Sequence, residues 1–364
     1  MTAPAPDRLT VGVEEEFLLL DPHTGENVPL AGKVFGGLPD PLRRRGRQEF
    51  RPSMVEMVTD VCTGLGELGE QLLVARRAAA SVAADVGARL VAVGATPVAE
   101  PHPTAADDAR FREITRHYGP IARDPAVCGC HVHVGVPDQR LAVQVCTRLR
   151  GWLPVIQALS VNSPMFCGAD TGYASWRFAQ LQRWPALGPW PHLESPEDYR
   201  RTVGTLVSSG AMLDDSMVLW YARPSATYPT VEIRVADVCL TAADTVVLAG
   251  LIRGLVAMTG ADALAGRPAP VIPDALLEGA HWNAARDGMD GTLLDVRSGQ
   301  ARPAWELVDD LVDWITPALG DDLGAVRAGL DRIRHEGTGA ARQRRLSDDP
   351  GFLDHLARET LAAQ

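Results

Sequence analysis

The sequence predicts an α+β protein built on an antiparallel β-sheet, with helices on one face and a polar cavity on the other. Three stretches predict it: Val11–Leu20, Cys128–Gly135 and Thr230–Ala236. In each, an apolar set alternates with a set carrying Glu, His or Arg, which is the two-residue period of a strand.

The first strand, Val11-Gly-Val-Glu-Glu-Glu-Phe-Leu-Leu-Leu20, runs into an Asp21-Pro22 turn. Glu14 and Glu16 share a face with Gly12 and Leu18, while Glu15 falls among Val13, Phe17 and Leu19. Carboxylates inside a strand cost desolvation energy unless something pairs them. A shared hard cation such as Mg²⁺ would pair Glu14 with Glu16. A solvated face whose glutamates meet arginines is the other reading, and this strand alone leaves both open.

The basic run Arg43–Arg47 reads as a solvated loop that could meet phosphates. Gln48–Thr59 reads as extended on both sides of Pro52, with Glu49 and Glu56 in a β-type pattern. Leu65, Leu68, Leu72, Ala75, Ala79, Val82 and Val86 then recur at helical spacing and form a helix that covers the sheet. Arg89–Val93 reads as a buried strand ending at Gly94, and a polar helix follows at 107–117.

In Cys128–Gly135, His131 and His133 point one way, and Cys130, Val132 and Val134 the other. Two histidines on one face suggest a site, although His-x-His alone is a weak motif. Cys128-Gly-Cys130 lacks the spacing of a zinc or redox pair. Asp138 caps a helix with Leu141, Val145, Leu149 and Leu153 on its apolar stripe, interrupted at Pro154. The Trp-rich stretch from Ser160 to Trp190, which contains Asp170–Arg177, fits a loop over a pocket. Ser195-Pro-Glu-Asp198 is a capping box. Met217–Tyr221 and Thr230–Ala236 form two strands, and in the second Glu232 and Arg234 share a face, which taken singly is an adjacent ion pair on an exposed sheet. Thr241 caps an apolar helix running to about Leu264. From Pro273 onward the chain reads as helical, with a polar cluster at His281–Gly288.

Composition limits the function. The chain has 364 residues, 46% hydrophobic and 22% charged, as expected for a soluble globular protein. A net charge of −11 argues against non-specific nucleic-acid binding and attachment to an anionic membrane. No apolar run reads as long enough to span a bilayer. The N-terminus lacks the regions of a signal peptide, and residues 1–9 are expected to be a flexible tail. Six cysteines are too sparse for a disulfide scaffold, which points to the reducing cytoplasm. Without a repeat or a linker, the chain is expected to be one catalytic domain, 1–364. Its helical exterior leaves a homo-oligomer open.

Brought onto one sheet face, Glu14, Glu16, Glu49, Glu56, His131 and Glu232 converge into a set that suits two or more divalent ions. Arg177 and Arg234 add positive groups for phosphate oxygens, which together is the recipe for phosphoryl transfer. No P-loop is present.

These residues lie in motifs that resemble the glutamate–cysteine ligase type 2 family, the carboxylate–amine ligases. The motifs are Gly12–Phe17, Val55–Thr59, Cys128–Gly135, Asp170–Ser175, Arg223–Ser225, Val231–Asp237 and Asn283–Arg286, covering most of the chain. The resemblance implies a curved antiparallel sheet with helices on its outer face, as in the catalytic domain of glutamine synthetase and guanido kinases. It implies ATP with Mg²⁺ or Mn²⁺, metal ligands at Glu14, Glu16, Glu49, Glu56, His131 and Glu232, and a nucleotide facing Arg234, Glu232 and His133. Arg234 and Arg177 are the implied catalytic residues. The implied reaction phosphorylates a substrate carboxylate, and an amine then displaces phosphate to leave an amide.

The sequence departs from the family pattern at Val93–Val98, which lacks a histidine, and at Phe166-Cys167, where a bulkier residue is common. These departures bear on the acceptor pocket. The acid and amine therefore need not be glutamate and cysteine, and a specialised-metabolite acid and amine would serve. A metal-dependent phosphotransferase or hydrolase, and a protein that kept the sheet but lost turnover, are the other classes.

Overall fold

The computed structural model describes residues 9–363. Residues 1–8 of the expected tail lie outside the described residues. The central element is β1 (Val11–Leu20), with the bounds the alternation predicted. Around it, in chain order, lie β2 (Gly46–Gln48), β3 (Met54–Val58), β4 (Arg89–Val91) and β5 (Gly129–Gly135). Two short pairs stand apart, β6 (Met165–Phe166) with β7 (Ala169–Asp170) and β8 (Leu187–Gly188) with β9 (Leu219–Trp220). The strands β10 (Ala222–Pro224) and β11 (Thr230–Asp237) complete a sheet ordered β10–β11–β5–β1–β3–β2. Every neighbour in it is antiparallel, and β4 pairs with β1 beyond the end of β5.

Short helices α1 (Ala31–Gly37) and α2 (Asp40–Arg43) lead into β2, so the basic run expected as a loop is partly helix and partly strand. The next helices are α3 (Leu65–Asp85), α4 (Ala109–Tyr118), α5 (Gln139–Leu149), α6 (Leu153–Ser160), α7 (Trp176–Leu181) and α8 (Pro196–Ser208). They are followed by α9 (Ala242–Leu264), α10 (Asp274–Asp287), α11 (Ala304–Leu319), α12 (Leu323–Glu336), α13 (Gly339–Leu346) and α14 (Phe352–Leu361). Predicted caps are in place: Asp138 accepts from Leu141 N at 2.7 Å, Ser195 from Asp198 N at 3.1 Å and Thr241 from Asp244 N at 3.2 Å. Pro154 sits in the first turn of α6, where its missing N–H costs nothing, so the helix is interrupted just before it.

Further expectations change. The stretch from Gln48 is extended at its start, in β2, and again from Met54, but is broken between them, because Arg51 is drawn inward to the carbonyls of Pro103, Ala122 and Asp124 and Met54 N closes a turn on Arg51 O. The buried strand at Arg89 stops at Val91. The region after Pro273 is not wholly helical: β12 (Thr292–Asp295) and β13 (Gln300–Pro303) form a hairpin turned at Gly299, whose φ of 72° favours glycine. Finally, α9 is long and apolar enough to cross a bilayer, against the expectation that no run is. In this fold it is the central core helix, packed by α3, α5, α11 and α12.

The helices cover one sheet face. Val13, Val132, Val134, Val231 and Ile233 are buried in a core shared with Val145, Leu149, Leu251 and Leu255, and Phe17 and Leu19 meet Ala75 and Ala79 of α3 in a second. Glu15 also points into this layer. Arg76 of α3 grips it with Nε at 2.9 Å and Nη2 at 2.6 Å, and Thr245 donates to it at 2.6 Å. Arg76 also donates to the carbonyls of Cys239, Leu240 and Thr360, so the buried pair ties β1, α3, the entry to α9 and α14 together.

Candidate active site

The uncovered face carries the other side chains of the same strands. Register sets Glu14 opposite His131, Glu16 opposite Glu56, and Glu232 opposite His133. His131 Nδ1 lies 3.2 Å from Glu14 Oε2, and His133 Nε2 lies 3.3 Å from Glu14 Oε1. His133 Nδ1 reaches Thr230 Oγ1 at 2.9 Å, which fixes the ring. Ligand atoms of Glu14, His133 and Glu232 all lie within 4.8 Å of one another. Glu49, just past β2, is half-buried and hydrogen-bonds to Glu56. Gly129 N donates to Glu16 Oε2 at 2.5 Å.

Between Ile233 and Ala236 the register of β11 shifts, so Arg234 and Val235 together oppose His131. Such a bulge re-aims side chains, and both residues line the cavity described below. Arg234 contacts Glu232, and Arg223 holds the same carboxylate with Nε at 2.8 Å and Nη2 at 3.2 Å. The pair that the strand taken singly would place on an exposed sheet has Glu232 buried and Arg234 partly buried, and the sequence reading missed its third member. Arg223 is placed by the hairpin register, directly across from Glu232.

Electrostatics divide the acids. Burial favours the neutral form of Glu14, but hydrogen bonds and charge from His131 and His133 win and hold it well below the usual carboxylate range. Glu232 is also held low, because Arg234 and Arg223 outweigh burial. Burial, reinforced by the Glu49 charge, pushes Glu16 up to about 8. Glu56 is raised well above its ordinary value by burial and by Glu49. His131 is pushed down to about 4 by burial and the Arg234 guanidinium, which leaves a neutral imidazole at pH 7. Crowded oxygen donors that resist ionising together, next to the neutral His131 imidazole, have the donor chemistry of a site for hard divalent ions. Glu232 differs, since both its oxygens already face guanidinium groups.

Beside the acids opens a cavity of about 240 Å³. Glu16, Glu49, His131, Arg177 and Arg234 line it, and the Trp-rich stretch contributes Phe178, Leu181, Trp184 and Leu187, as the loop-over-a-pocket reading anticipated. Arg177 is buried yet weakly engaged, with Nη2 3.4 Å from Arg234 O and Nη1 3.9 Å from Asp237 Oδ1. Asp237 is occupied by Ser163, Ser175 and Asn162 N at 2.7–2.9 Å. A Cβ at position 129 would lie 2.5 Å from Arg177 Nη2 and 3.2 Å from His131 Nε2, so glycine there lets the guanidinium lie against the sheet. Glu16, Glu49, His131, Arg177 and Arg234 thus line the cavity, and Glu14, Glu56, His133 and Glu232 lie beside them on the same sheet face.

Comparisons with known proteins bear on the family and the fold. A family model described as Glutamate-cysteine ligase family 2 matches residues 10–361. A protein of Salinispora arenicola provisionally named glutamate–cysteine ligase 2 is 57% identical over 98% of this chain and 96% of its own. A similarly named protein of Saccharopolyspora erythraea is 46% identical over 97% and 95%. Among solved structures, a bifunctional glutathione synthetase from Pasteurella multocida superposes with a TM-score of 0.66 at 13% identity, over 96% of this chain and 52% of that one. This chain thus spans about half that protein's length. A glutamate–cysteine ligase from Francisella tularensis in complex with AMP gives 0.65 at 12% identity, over 97% and 87%. At such identities the likeness shows a shared fold, the one the motifs implied.

Proposed function

The chain belongs to glutamate–cysteine ligase family 2, and from that premise we propose that it is an ATP-dependent carboxylate–amine ligase working through an acyl phosphate. An oxygen of the acid attacks the γ-phosphorus and ADP leaves. The amine nitrogen then attacks the acyl carbon, and phosphate departs as the nitrogen loses its proton. A carboxylate is a poor acyl donor, and phosphorylation supplies the leaving group.

The observation that carries this reading is the convergence of carboxylates from β1, β3 and the end of β2 with Arg177 and Arg234 at the rim of one cavity. Glu14, Glu16, Glu49, Glu56, His131 and His133 are the side chains that would hold Mg²⁺ or Mn²⁺, with Glu232 joining if its guanidinium partners shift. Metal held there supplies counter-charge for the nucleotide's phosphates. Arg234, on the same face of β11 as Glu232 and steadied by it, faces the charge that develops at phosphorus. Arg177 has donors left to orient the acid. His131 stays neutral and so remains available as a nitrogen ligand.

Release of ADP that requires both an acid and an amine, with the amide seen by mass spectrometry, tests the reading and separates a ligase from a hydrolase or phosphotransferase. Glu14→Gln should lower turnover by roughly 100-fold or more while the circular-dichroism spectrum stays near wild type and the chain remains folded at the assay temperature. Near-normal turnover in that variant would count decisively against the site.

A further inference from the structure

The cavity beside the acids is polar at one end only. Arg177 and Arg234 stand at that end with Glu16, Glu49 and His131, Gln180 adds one unpartnered amide oxygen, and the remaining wall includes Phe50, Phe111, Ile114, Phe178, Trp184 and Leu219. Phe50 and Phe111 meet edge to face, with centroids 5.4 Å apart, and close one side. Two charged groups do reach the apolar part, and both are engaged. Arg51 spends its guanidinium on the carbonyls of Pro103, Ala122 and Asp124, and Asp124 is paired with Arg183.

We propose that this cavity binds the acid substrate, and that the acid is a monocarboxylate with an aryl or long alkyl body: its carboxylate lies on Arg177 and its body fills the apolar wall. This rests on the ligase reading and narrows its substrate class. Size and charge both argue for it. An apolar cavity of roughly 150 Å³ is enough to take up benzene, and this one is larger, at about 240 Å³. Glutamate's ammonium would meet Glu16 or Glu49, but with one carboxylate on Arg177 its second would face a wall whose cation, Arg51, is already spent on backbone carbonyls, and unpaired buried charge is costly. Acetate would leave the wall unfilled. An aryl acid matches the single cationic end and buries its ring.

The test uses the full chain with 3-phenylpropionate, glutamate and acetate as acids and hydroxylamine as the amine. ADP and hydroxamate are measured by turnover, and acid binding is measured by titration calorimetry in the presence of Mg²⁺. The expected result is saturable binding of 3-phenylpropionate and a kcat/KM above that for glutamate by roughly tenfold or more. Leu219→Trp, which fills the cavity, should raise KM for 3-phenylpropionate about tenfold and leave KM for ATP within about twofold. Leu219→Ala, which empties it, should shift preference toward 5-phenylpentanoate and guards against a filling variant that fails to fold. Faster turnover of glutamate would overturn the inference and leave the ligase reading standing. A rise in KM for ATP in Leu219→Trp would give the cavity to the adenine ring and overturn it as well. So would the absence of calorimetric binding. Binding of 3-phenylpropionate without turnover of any acid would instead sink the ligase reading and keep the apolar-acid site.

Discussion

Glu16 of β1 and Glu56 of β3 are direct cross-strand partners, 8% and 7% exposed. Like charges directly opposite on a sheet destabilise it, and both groups have their pKa raised by burial and by the Glu49 charge. A cation bound among them relieves that repulsion. Mg²⁺ or Mn²⁺ should therefore raise the Tm, and at tenfold over Kd the linkage is worth about 1.4 kcal/mol, or roughly 2 °C for a chain of this length. Scanning fluorimetry with and without metal checks it. Glu56→Gln should raise the metal-free Tm and shrink the metal-induced gain, and an unchanged gain would remove Glu56 from the site.

Arg234 is a different kind of residue, because it already has a partner. It shares Glu232 with Arg223 and lies 3.4 Å from His131 Nδ1. Arg234→Ala removes charge aimed at the reacting phosphate yet leaves Glu232 paired with Arg223, so the fold should survive. Turnover should drop by roughly 100- to 1,000-fold with a smaller change in KM for ATP. Steady-state kinetics beside a melting curve decide it, and a pure KM effect would recast Arg234 as a binding group.

On the opposite side of β1, Glu15 is bound to Arg76, whose side chain is 0% exposed. Arg76→Met strands a buried carboxylate and the carbonyls of Cys239, Leu240 and Thr360 at once. A loss of about 3–5 kcal/mol follows from breaking such a pair, read as a fall in the denaturant midpoint. Replacing Glu15 by Gln in the same chain should recover part of it, because the stranded charge is gone. Failure to recover would assign the cost to the carbonyls instead.

The contrast between Glu15 and its neighbours Glu14 and Glu16 shows what the sequence could and could not reveal. Alternation along Val11–Leu20 is enough to assign the three glutamates to two faces, since a strand has period two whatever its neighbours do. Sequence patterns also locate the caps at Asp138, Ser195 and Thr241, which are local chemistry. Arg76 as the partner of Glu15 could not be read, because sixty-one residues separate them and only packing of α3 on the sheet joins them. Arg223 escaped for the same reason, its role set by hairpin register. The β12–β13 hairpin escaped because each strand is only four residues long: β12 buries just Leu293 and Asp295, β13 is largely exposed, and so short a run does not establish a period. The apolar cavity draws its lining from runs as far apart in the chain as 49–54, 111–127, 177–187 and 217–221, and no local pattern marks such a set.

Asp244, in the first turn of α9, carries the last prediction. Burial would raise its pKa, but Arg342 and Arg332 outweigh it and the carboxyl sits below its ordinary value; Arg332 Nη2 lies 2.8 Å from Oδ1 and Arg342 contacts Oδ2. A carboxyl whose folded pKa is depressed binds its proton more readily when unfolded. Its contribution to stability is therefore complete above the unfolded value near 4 and is lost as pH falls through the folded value. Wild-type Tm should fall steeply below about pH 4. Asp244→Asn should be less stable at pH 7, by about 3–5 kcal/mol, and should show a shallower acid limb, because the proton that wild type takes up on unfolding has no counterpart there. Parallel acid limbs in the two proteins would mean that other carboxylates carry the acid sensitivity.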